Sequence, residues 1–373
     1  MSACDILLLS VSAGAGHLRA AEAIRSAAAL SHPGLRVEHL DVMEVVPRLF
    51  KRLYADSYLQ LINRHPAFWG YLYQVSDQGR SDSTLTRLRE ALERLNTRKL
   101  HERIQALAPR VIVCTHFLPA QLLARLRRLG AFATPTWVVV TDFDVHALWV
   151  HQGLSGYCVA SEEIACRLRG RGVGDTRIAI TGIPIDPVFA NPPDRATCAA
   201  ELGLDPARRT FLLMSGGHGV GNLAAIAERA LAIPGDHQVV AMAGRNAELH
   251  QQLAGLAASH PGRLVVHGFT ATPERLMAGA DLAVGKPGGL STSECLALGL
   301  PMLVVSPIPG QEERNSDHLL EHGAALKAHD LAGLEYRLRR VLSEPDLLPR
   351  LAARARAIGR PRAAHDVLAT VLG

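Results

Sequence analysis

The sequence predicts an α/β protein built on two parallel sheets, and three observations predict it. Each half opens with an apolar strand that runs into a glycine-rich turn and then a helix. Short apolar strands alternate with helical patterns through both halves, and a proline-rich stretch separates them. Alternation of this kind implies parallel strands joined by right-handed helical crossovers, so each half is expected to be a Rossmann-like domain. The length of 373 residues also exceeds what one hydrophobic core usually serves.

In the first half the opening unit is DILLLSVSAGAGH at 5–17, followed by the helical HLRAAEAIRSAAAL. Further strands are VIVCT at 111–115 and TWVVVTD at 136–142. The second half repeats the plan with TFLLMSGGHGVG at 210–221 and NLAAIAERAL. Its later strands are HQVVAMAG at 237–244, RLVVHG at 263–268, DLAVGKPGG at 281–289 and PMLVVSP at 301–307. The segment ITGIPIDPVFANPPD marks the junction. The expected division is a first domain over 1–186, a linker over 187–208 and a second domain over 209–358. A last helical segment over 359–373 has the pattern to pack back on the first domain.

Composition narrows the classes. Hydrophobic residues make up 48% and charged residues 20%, a folded globular balance. The opening apolar run, Ile6 to Leu9, is a strand's length and follows Asp5, unlike a secretory signal. No apolar run approaches the roughly 18 residues of a membrane span, so a soluble or peripheral cytoplasmic protein is expected. Six cysteines, Cys4, Cys114, Cys158, Cys166, Cys198 and Cys295, form no C-x-x-C pair and are expected to be reduced and mostly buried, with no zinc.

The net charge of +5 is uneven: residues 1–190 hold 22 basic and 17 acidic side chains, whereas the rest is neutral. Arg80, Arg87, Arg89, Arg94, Arg98, Lys99 and Arg103 concentrate the excess. Such a half suits an anionic partner, a membrane surface or nucleic acid; the plainer account, given Glu90, Glu93 and Glu102 between them, is a solvated helix face. Residues 43–75 interleave Phe50, Tyr54, Tyr58, Phe68, Trp69, Tyr71 and Tyr73 with Lys51, Arg52 and Arg64. That mixture suits either a membrane interface or an ordinary helical insertion.

In open parallel sheets ligands bind at the carboxyl ends of the strands, where the glycine-rich loops lie. Gly14-Ala15-Gly16-His17 lacks the third small residue of a dinucleotide fingerprint, since position 19 is Arg19, so NAD is not expected despite Asp41. It offers an imidazole at a helix N-terminus instead. The helix dipole disfavours its protonation, and a neutral ring there suits general-base work. The second loop, with Gly216, Gly217 and His218, can receive phosphate oxygens but is no Walker A loop.

The sharpest pattern is GKPGGLSTSECLALG at 285–299. Lys286, the amides of Gly288, Gly289 and Leu290, the hydroxyls of Ser291 and Thr292 and a helix N-terminus together make a diphosphate cradle. Glu294, one turn into that helix, is placed to accept both hydroxyls of a ribose. Gln311, Glu312 and Asn315, after the next strand, suit sugar hydroxyls.

These motifs resemble the glycosyltransferases that include monogalactosyldiacylglycerol synthase, the processive diacylglycerol glucosyltransferases and, more distantly, MurG. The resemblance runs nearly end to end, through SAGAGHLRAAEAI, THFLPA, TDFDVHALWVH, TGIPIDPVF, SGGHGVGNL, AGRNAEL, HGF, KPGGLSTSECLALGLP and PIPGQEERNSD. The family's N-terminal Gly-Gly-Gly-His is here Ala13-Gly14-Ala15-Gly16-His17. The resemblance implies a GT-B fold, two Rossmann-like domains facing an interdomain cleft, with a UDP-hexose in the C-terminal domain and an acceptor in the N-terminal one. It implies uracil against the backbone around Phe269, ribose on Glu294, phosphates on Gly289, Leu290 and Ser291, and the hexose on Gln311, Glu312 and Asn315, with Arg245 also among the nucleotide-sugar-binding residues. It implies His17 as base, and Gly16, His116, Asp142, His146 and Trp149 on the acceptor side. Inversion at the anomeric carbon is likewise implied.

With His17 as base and UDP's charge met by Lys286 and the helix after Gly289, neither metal nor cofactor is expected; Asp142-Phe143-Asp144 reads as Asp-x-Asp but lies in the other half from the cradle. Should His17 not serve, Asp142 is the second candidate base. The expected partners are a UDP-hexose and a diacylglycerol-type or other hydroxyl acceptor, with an anionic membrane face and no nucleic acid. Three alternatives stand beside this: a UDP-GlcNAc epimerase, a transferase acting on a non-lipid acceptor, and a catalytically silent membrane-binding module.

Overall fold

The computed structural model describes residues 4–12, 14–45, 98–214 and 222–373. The chain divides into two compact units: 1–187 with 308–311 and 362–373, and 188–307 with 312–361.

The first unit runs β1 (Ile6–Ser10), α1 (Ala15–Ser31), β2 (Val37–Asp41), α2 (Val42–Val45), β3 (Val111–Cys114), α3 (Phe117–Arg128), β4 (Thr136–Val139), β5 (Gly156–Val159), α4 (Glu162–Gly170) and β6 (Ile178–Ile180). Its sheet is six-stranded in the order β2-β1-β3-β4-β5-β6, and every pairing is parallel. Helices cover both faces of such a sheet, so inner strands read as unbroken apolar runs. β1, β3 and β5 are buried at every residue, whereas edge strand β2 is only part-buried. A clasp ties β1, β2 and α1 together: His39 Nε2 lies 2.6 Å from Ser10 Oγ, and His39 Nδ1 lies 2.6 Å from Glu22 Oε1. The spacing is that of a nucleophile–base–acid relay, but Ser10 is wholly buried, so the network holds strands rather than reaching a substrate.

The last helix, α13 (Ala363–Leu372), belongs to this unit. Ala364, Val367, Leu368 and Val371 share a core with Ile6, Leu8, Ala21, Ile24 and Ala27. The many alanines of α1 let the two helices approach closely.

The second unit runs α5 (Arg195–Glu201), β7 (Arg209–Met214), α6 (Leu223–Ala232), β8 (His237–Met242), α7 (Ala247–Ala258), β9 (Leu264–His267), α8 (Pro273–Ala278), β10 (Leu282–Gly285), α9 (Gly289–Leu298), β11 (Met302–Val305), α10 (Gln311–Glu321), β12 (Ala325–Ala328), α11 (Leu331–Ser343) and α12 (Leu347–Ile358). Its sheet, also six-stranded, has the order β12-β11-β10-β7-β8-β9 and is again parallel throughout.

The stretch 187–208, expected as a linker, folds onto the second unit from Val188 onward. Asp194 Oδ2 accepts the Thr197 amide at 3.0 Å and caps α5, whose Cys198 and Ala199 are buried. Asp281 fixes the segment from the sheet side: Arg195 and the Thr210 amide both donate to its Oδ2 at 2.8 Å. Prolines at 192 and 193 mask this short helix in the sequence. The far boundary also moves, since the second unit reaches Pro361 rather than 358.

Five cysteines are buried and Cys166 is exposed; all six are free thiols. The aromatic–basic stretch lies, beyond residue 45, outside the described residues, as do Arg80, Arg87, Arg89 and Arg94 and the loop holding Gly216, Gly217 and His218. Among the described residues no helix is long and apolar enough to cross a membrane.

Gly156 opens β5 opposite Trp137 of β4, and a Cβ there would lie 2.3 Å from the indole ring. Gly156→Ala is therefore expected to cost about 1–3 kcal/mol, as overpacking of a filled core does. Urea unfolding should show a lower midpoint at unchanged slope; an unchanged midpoint would mean that Trp137 yields freely.

Candidate functional site

In the first unit the strand order reverses between β1 and β3: the chain moves outward to β2 in one direction and to β6 in the other. The loops leaving β1 and β3 therefore diverge and leave a crevice at the carboxyl edge, where ligands of open parallel sheets bind. β1 leads through the glycine turn to His17, in the first turn of α1, and β3 leads to Thr115 and His116.

His17 is half-buried. Its Nδ1 lies 2.9 Å from Thr115 O and 3.0 Å from Thr141 Oγ1. A carbonyl oxygen only accepts, so Nδ1 carries the proton and Nε2 keeps its lone pair. Desolvation by burial pulls the ring's pKa down to about 4, opposed by the bond to Thr115. The sequence argument reached neutrality through the helix dipole; burial is the cause found here.

His116 is buried, and its Nδ1 accepts the Leu118 amide at 3.0 Å, capping α3. Burial first, and then the neighbouring His17, hold its pKa well below the ordinary imidazole range. The His17 and His116 rings meet edge to face at 4.5 Å. Trp149, buried at the end of the 3₁₀ turn Ala147–Trp149, lies 6.2 Å from each of them. Phe117, which the sequence did not single out, completes the wall at 5.9 Å from Trp149.

His146 Nδ1 accepts the Leu148 amide at 3.1 Å and so caps that 3₁₀ turn. Gly16 sits half-buried beside His17 in the first turn of α1. Asp142 and Asp144 are buried, and Asp144 pairs with Arg167 at 3.3 Å. Thr115 and Thr141 escaped the sequence reading; nothing in a lone threonine distinguishes one that holds a ring from one that fills space.

In the second unit the order reverses between β7 and β10. There Gly285 faces Met214, and a Cβ would lie 2.8 Å from the Met214 carbonyl, so only glycine lets the strand ends close up. Lys286, half-buried, follows at once, and α9 then begins at Gly289 behind the cap residue Gly288. No side chain caps α9, so its first amides point into the loop, an anion-binding arrangement.

Gly289, Leu290 and Thr292 are buried there and Ser291 is half-buried. The Thr292 hydroxyl is buried with no hydrogen-bond partner, which leaves it available to a bound oxygen. Glu294 is 2% exposed. Asn315 is buried and its side-chain amide donates to Pro287 O at 2.9 Å, which ties it to the cradle loop. A Cβ on Gly288 would lie 3.9 Å from Glu312 Oε1, which puts that carboxylate beside the loop. Gln311 opens α10 and is half-buried.

Farther along the same edge, Arg245 follows β8 and Phe269 follows β9, and the guanidinium lies 4.0 Å over the ring. Phe269 is 58% exposed, which makes the pair a flat, open stacking surface. Ser306, after β11, has φ 46°. A left-handed non-glycine residue is uncommon and marks a strained turn, here the one that starts the loop to Gln311.

Comparison with known proteins fits this geometry. Residues 17–185 match the monogalactosyldiacylglycerol (MGDG) synthase family. The processive diacylglycerol beta-glucosyltransferase of Bacillus pumilus is 32% identical over 234 residues, covering 62% of this chain and 60% of that protein. The corresponding protein of Bacillus cereus strain AH187 is 26% identical over 373 residues, covering 98% of this chain and 93% of its own. Over these spans the chain is similar to this glycosyltransferase family. The crystal structure of Acinetobacter baumannii MurG superposes with a TM-score of 0.64 at 15% identity, covering 99% of both chains. The fold is thus GT-B, two parallel six-stranded α/β units. On this fold the described edge of the first unit carries imidazole and indole rings and that of the second carries amides, hydroxyls and an Arg–Phe stack.

Burial of His17 gives a testable pH dependence. The unfolded chain protonates this ring near pH 6.5 and the folded protein only near pH 4. Between those values the unfolded state binds more protons, so stability falls as pH falls through the window. Wild type is expected to lose stability there relative to His17→Gln, measured by urea unfolding at several pH values; parallel profiles would mean that the ring is solvated.

Proposed function

We propose that this protein transfers a hexose from a UDP-sugar to the hydroxyl of a diacylglycerol-type lipid, with inversion at the anomeric carbon. The observation that carries the reading is the state of His17, a neutral imidazole at a strand-order reversal whose Nδ1 is engaged and whose Nε2 is left as acceptor. Its low pKa keeps that lone pair available across the physiological range. Nε2 takes the proton of the acceptor hydroxyl as the oxygen attacks the anomeric carbon, and UDP departs from the opposite face.

In this reading the second unit holds the donor. Uracil stacks on the Phe269–Arg245 surface and Glu294 accepts the ribose hydroxyls. The Gly288–Thr292 turn and Lys286 meet the diphosphate, whose growing charge the α9 amides stabilise. Gln311 and Glu312 turn to the hexose. The reaction written this way uses no metal and no cofactor. His116, Trp149 and Phe117 form the acceptor wall, with His146 behind them. The diacylglycerol glucosyltransferase relatives and the basic first half support a lipid acceptor met at an anionic, inner membrane face.

The test is UDP release from UDP-glucose, UDP-galactose and UDP-GlcNAc, with diacylglycerol in anionic or neutral vesicles. Release that depends on diacylglycerol is expected. Sugar interconversion without acceptor would make the protein an epimerase, and no turnover with any donor would make it a silent binding module.

Two variants separate the roles. His17→Gln should lower turnover by about 10²–10⁴-fold, the usual worth of a general base, while UDP affinity holds. Glu294→Ala should weaken UDP binding by about 1–3 kcal/mol, the cost of stranding buried polar partners, as read by calorimetry. Unchanged affinity would remove Glu294 from the ribose.

A further inference from the structure

The reading above needs His17 Nε2 to be the free nitrogen, and an isolated histidine does not guarantee it. Neutral imidazole exists as two tautomers, and the ring can also turn over about its bond to Cβ. In the first unit two oxygens converge on one ring atom: Thr115 O at 2.9 Å and Thr141 Oγ1 at 3.0 Å from Nδ1. The carbonyl has no proton to give. Were Nδ1 the bare nitrogen, its lone pair would face the carbonyl lone pairs at hydrogen-bond distance. Were the ring turned over, a carbon would replace Nδ1 and both oxygens would lose their donor.

The anchors are themselves rigid. Thr115 is fully buried and Thr141 is 3% exposed. The Thr115 amide donates to Leu9 O at 3.0 Å, and its hydroxyl donates to His17's own carbonyl at 2.9 Å. Thr115 thus holds β1, the first turn of α1 and the imidazole at once. Thr141 reaches the ring from the other side, just beyond the end of β4.

We infer that Thr141 is a positioning residue, which with the Thr115 carbonyl forms a two-point clamp on His17: the carbonyl fixes the proton on Nδ1, and the Thr141 hydroxyl, accepting from the same N–H, holds the ring in the orientation that presents the Nε2 lone pair. The inference rests on the proposed role of His17 for its catalytic consequence, though not for the tautomer itself. The carbonyl belongs to the backbone, so Thr141 is the arm that mutation can remove. Thr141→Val keeps the shape and deletes the hydroxyl; Thr141→Ser keeps the hydroxyl and deletes a methyl group.

The experiment uses the full-length protein labelled with ¹⁵N at histidine, of which the chain has 17, with the His17 signals assigned by their loss in His17→Gln. Wild type should show a protonated Nδ1 and a bare Nε2. Thr141→Val should keep the Nδ1 proton, since the Thr115 carbonyl remains, but show a shifted and broadened Nδ1–H signal as the ring loosens, and about tenfold lower turnover with diacylglycerol, the scale of one hydrogen bond, with the KM for the UDP-sugar unchanged. Thr141→Ser should restore both readouts to near wild type.

A wild-type ring protonated on Nε2 would overturn the clamp. So would a Thr141→Val protein that matches wild type in its Nδ1–H signal and in turnover. If His17→Gln keeps its turnover while wild-type His17 shows the Nδ1 proton, the general-base reading falls and the clamp stands.

Discussion

Parallel pairing is the constraint on which everything else in this molecule depends. A parallel strand cannot be reached by a tight turn, so each connection must travel back along a face of the sheet, usually as a helix. All carboxyl ends then share one edge. Where strand order reverses, between β1 and β3 in one unit and between β7 and β10 in the other, two neighbouring loops leave in opposite directions. The crevice between them is a consequence of topology, before any side chain is chosen. Both units place their chemistry-bearing residues there.

The two crevices are furnished by opposite electrostatic means. In the second unit the backbone does the work: an uncapped helix start, glycines that admit close approach and a buried unpartnered hydroxyl leave donors unsatisfied until something negative arrives. In the first unit the histidine Nδ1 atoms are already engaged, two as acceptors and one as a donor. His116 and His146 cap short helical turns through Nδ1, and His17 gives its Nδ1 proton to a carbonyl. Burial keeps His17 and His116 neutral, so the wall they form with Trp149 and Phe117 is apolar in charge yet retains a single basic nitrogen. Such a surface suits an uncharged hydroxyl compound, and the amide cradle suits a diphosphate.

Many of these features were legible in the sequence because they depend on local pattern. Short apolar runs such as VIVC and LAVG are buried on both faces and become inner strands. The glycine turns before His17 and Gly289 announce helix starts, and Phe269 and Arg245 follow strands as the AGRN and HGF motifs suggested. The helix 195–201 was not legible, because seven residues among prolines carry no clear period. Its stability comes from Asp281, more than eighty positions away. The bond from the Asn315 amide to Pro287 was not legible either, because it joins positions 28 apart.

The sequence by itself determined the two parallel sheets, the glycine-rich loops at their carboxyl edges and the residue types those loops carry, since strand length, helix period and loop chemistry are all written in neighbouring positions. Only the tertiary structure decided that α13 completes the first core, that threonines following two separate strands meet one nitrogen of His17, and that burial acts on its charge in the same direction as the helix dipole. Each of these depends on distance through space between residues far apart in the chain, and the cost of removing a proton-binding ring from water exists only once those residues have closed around it.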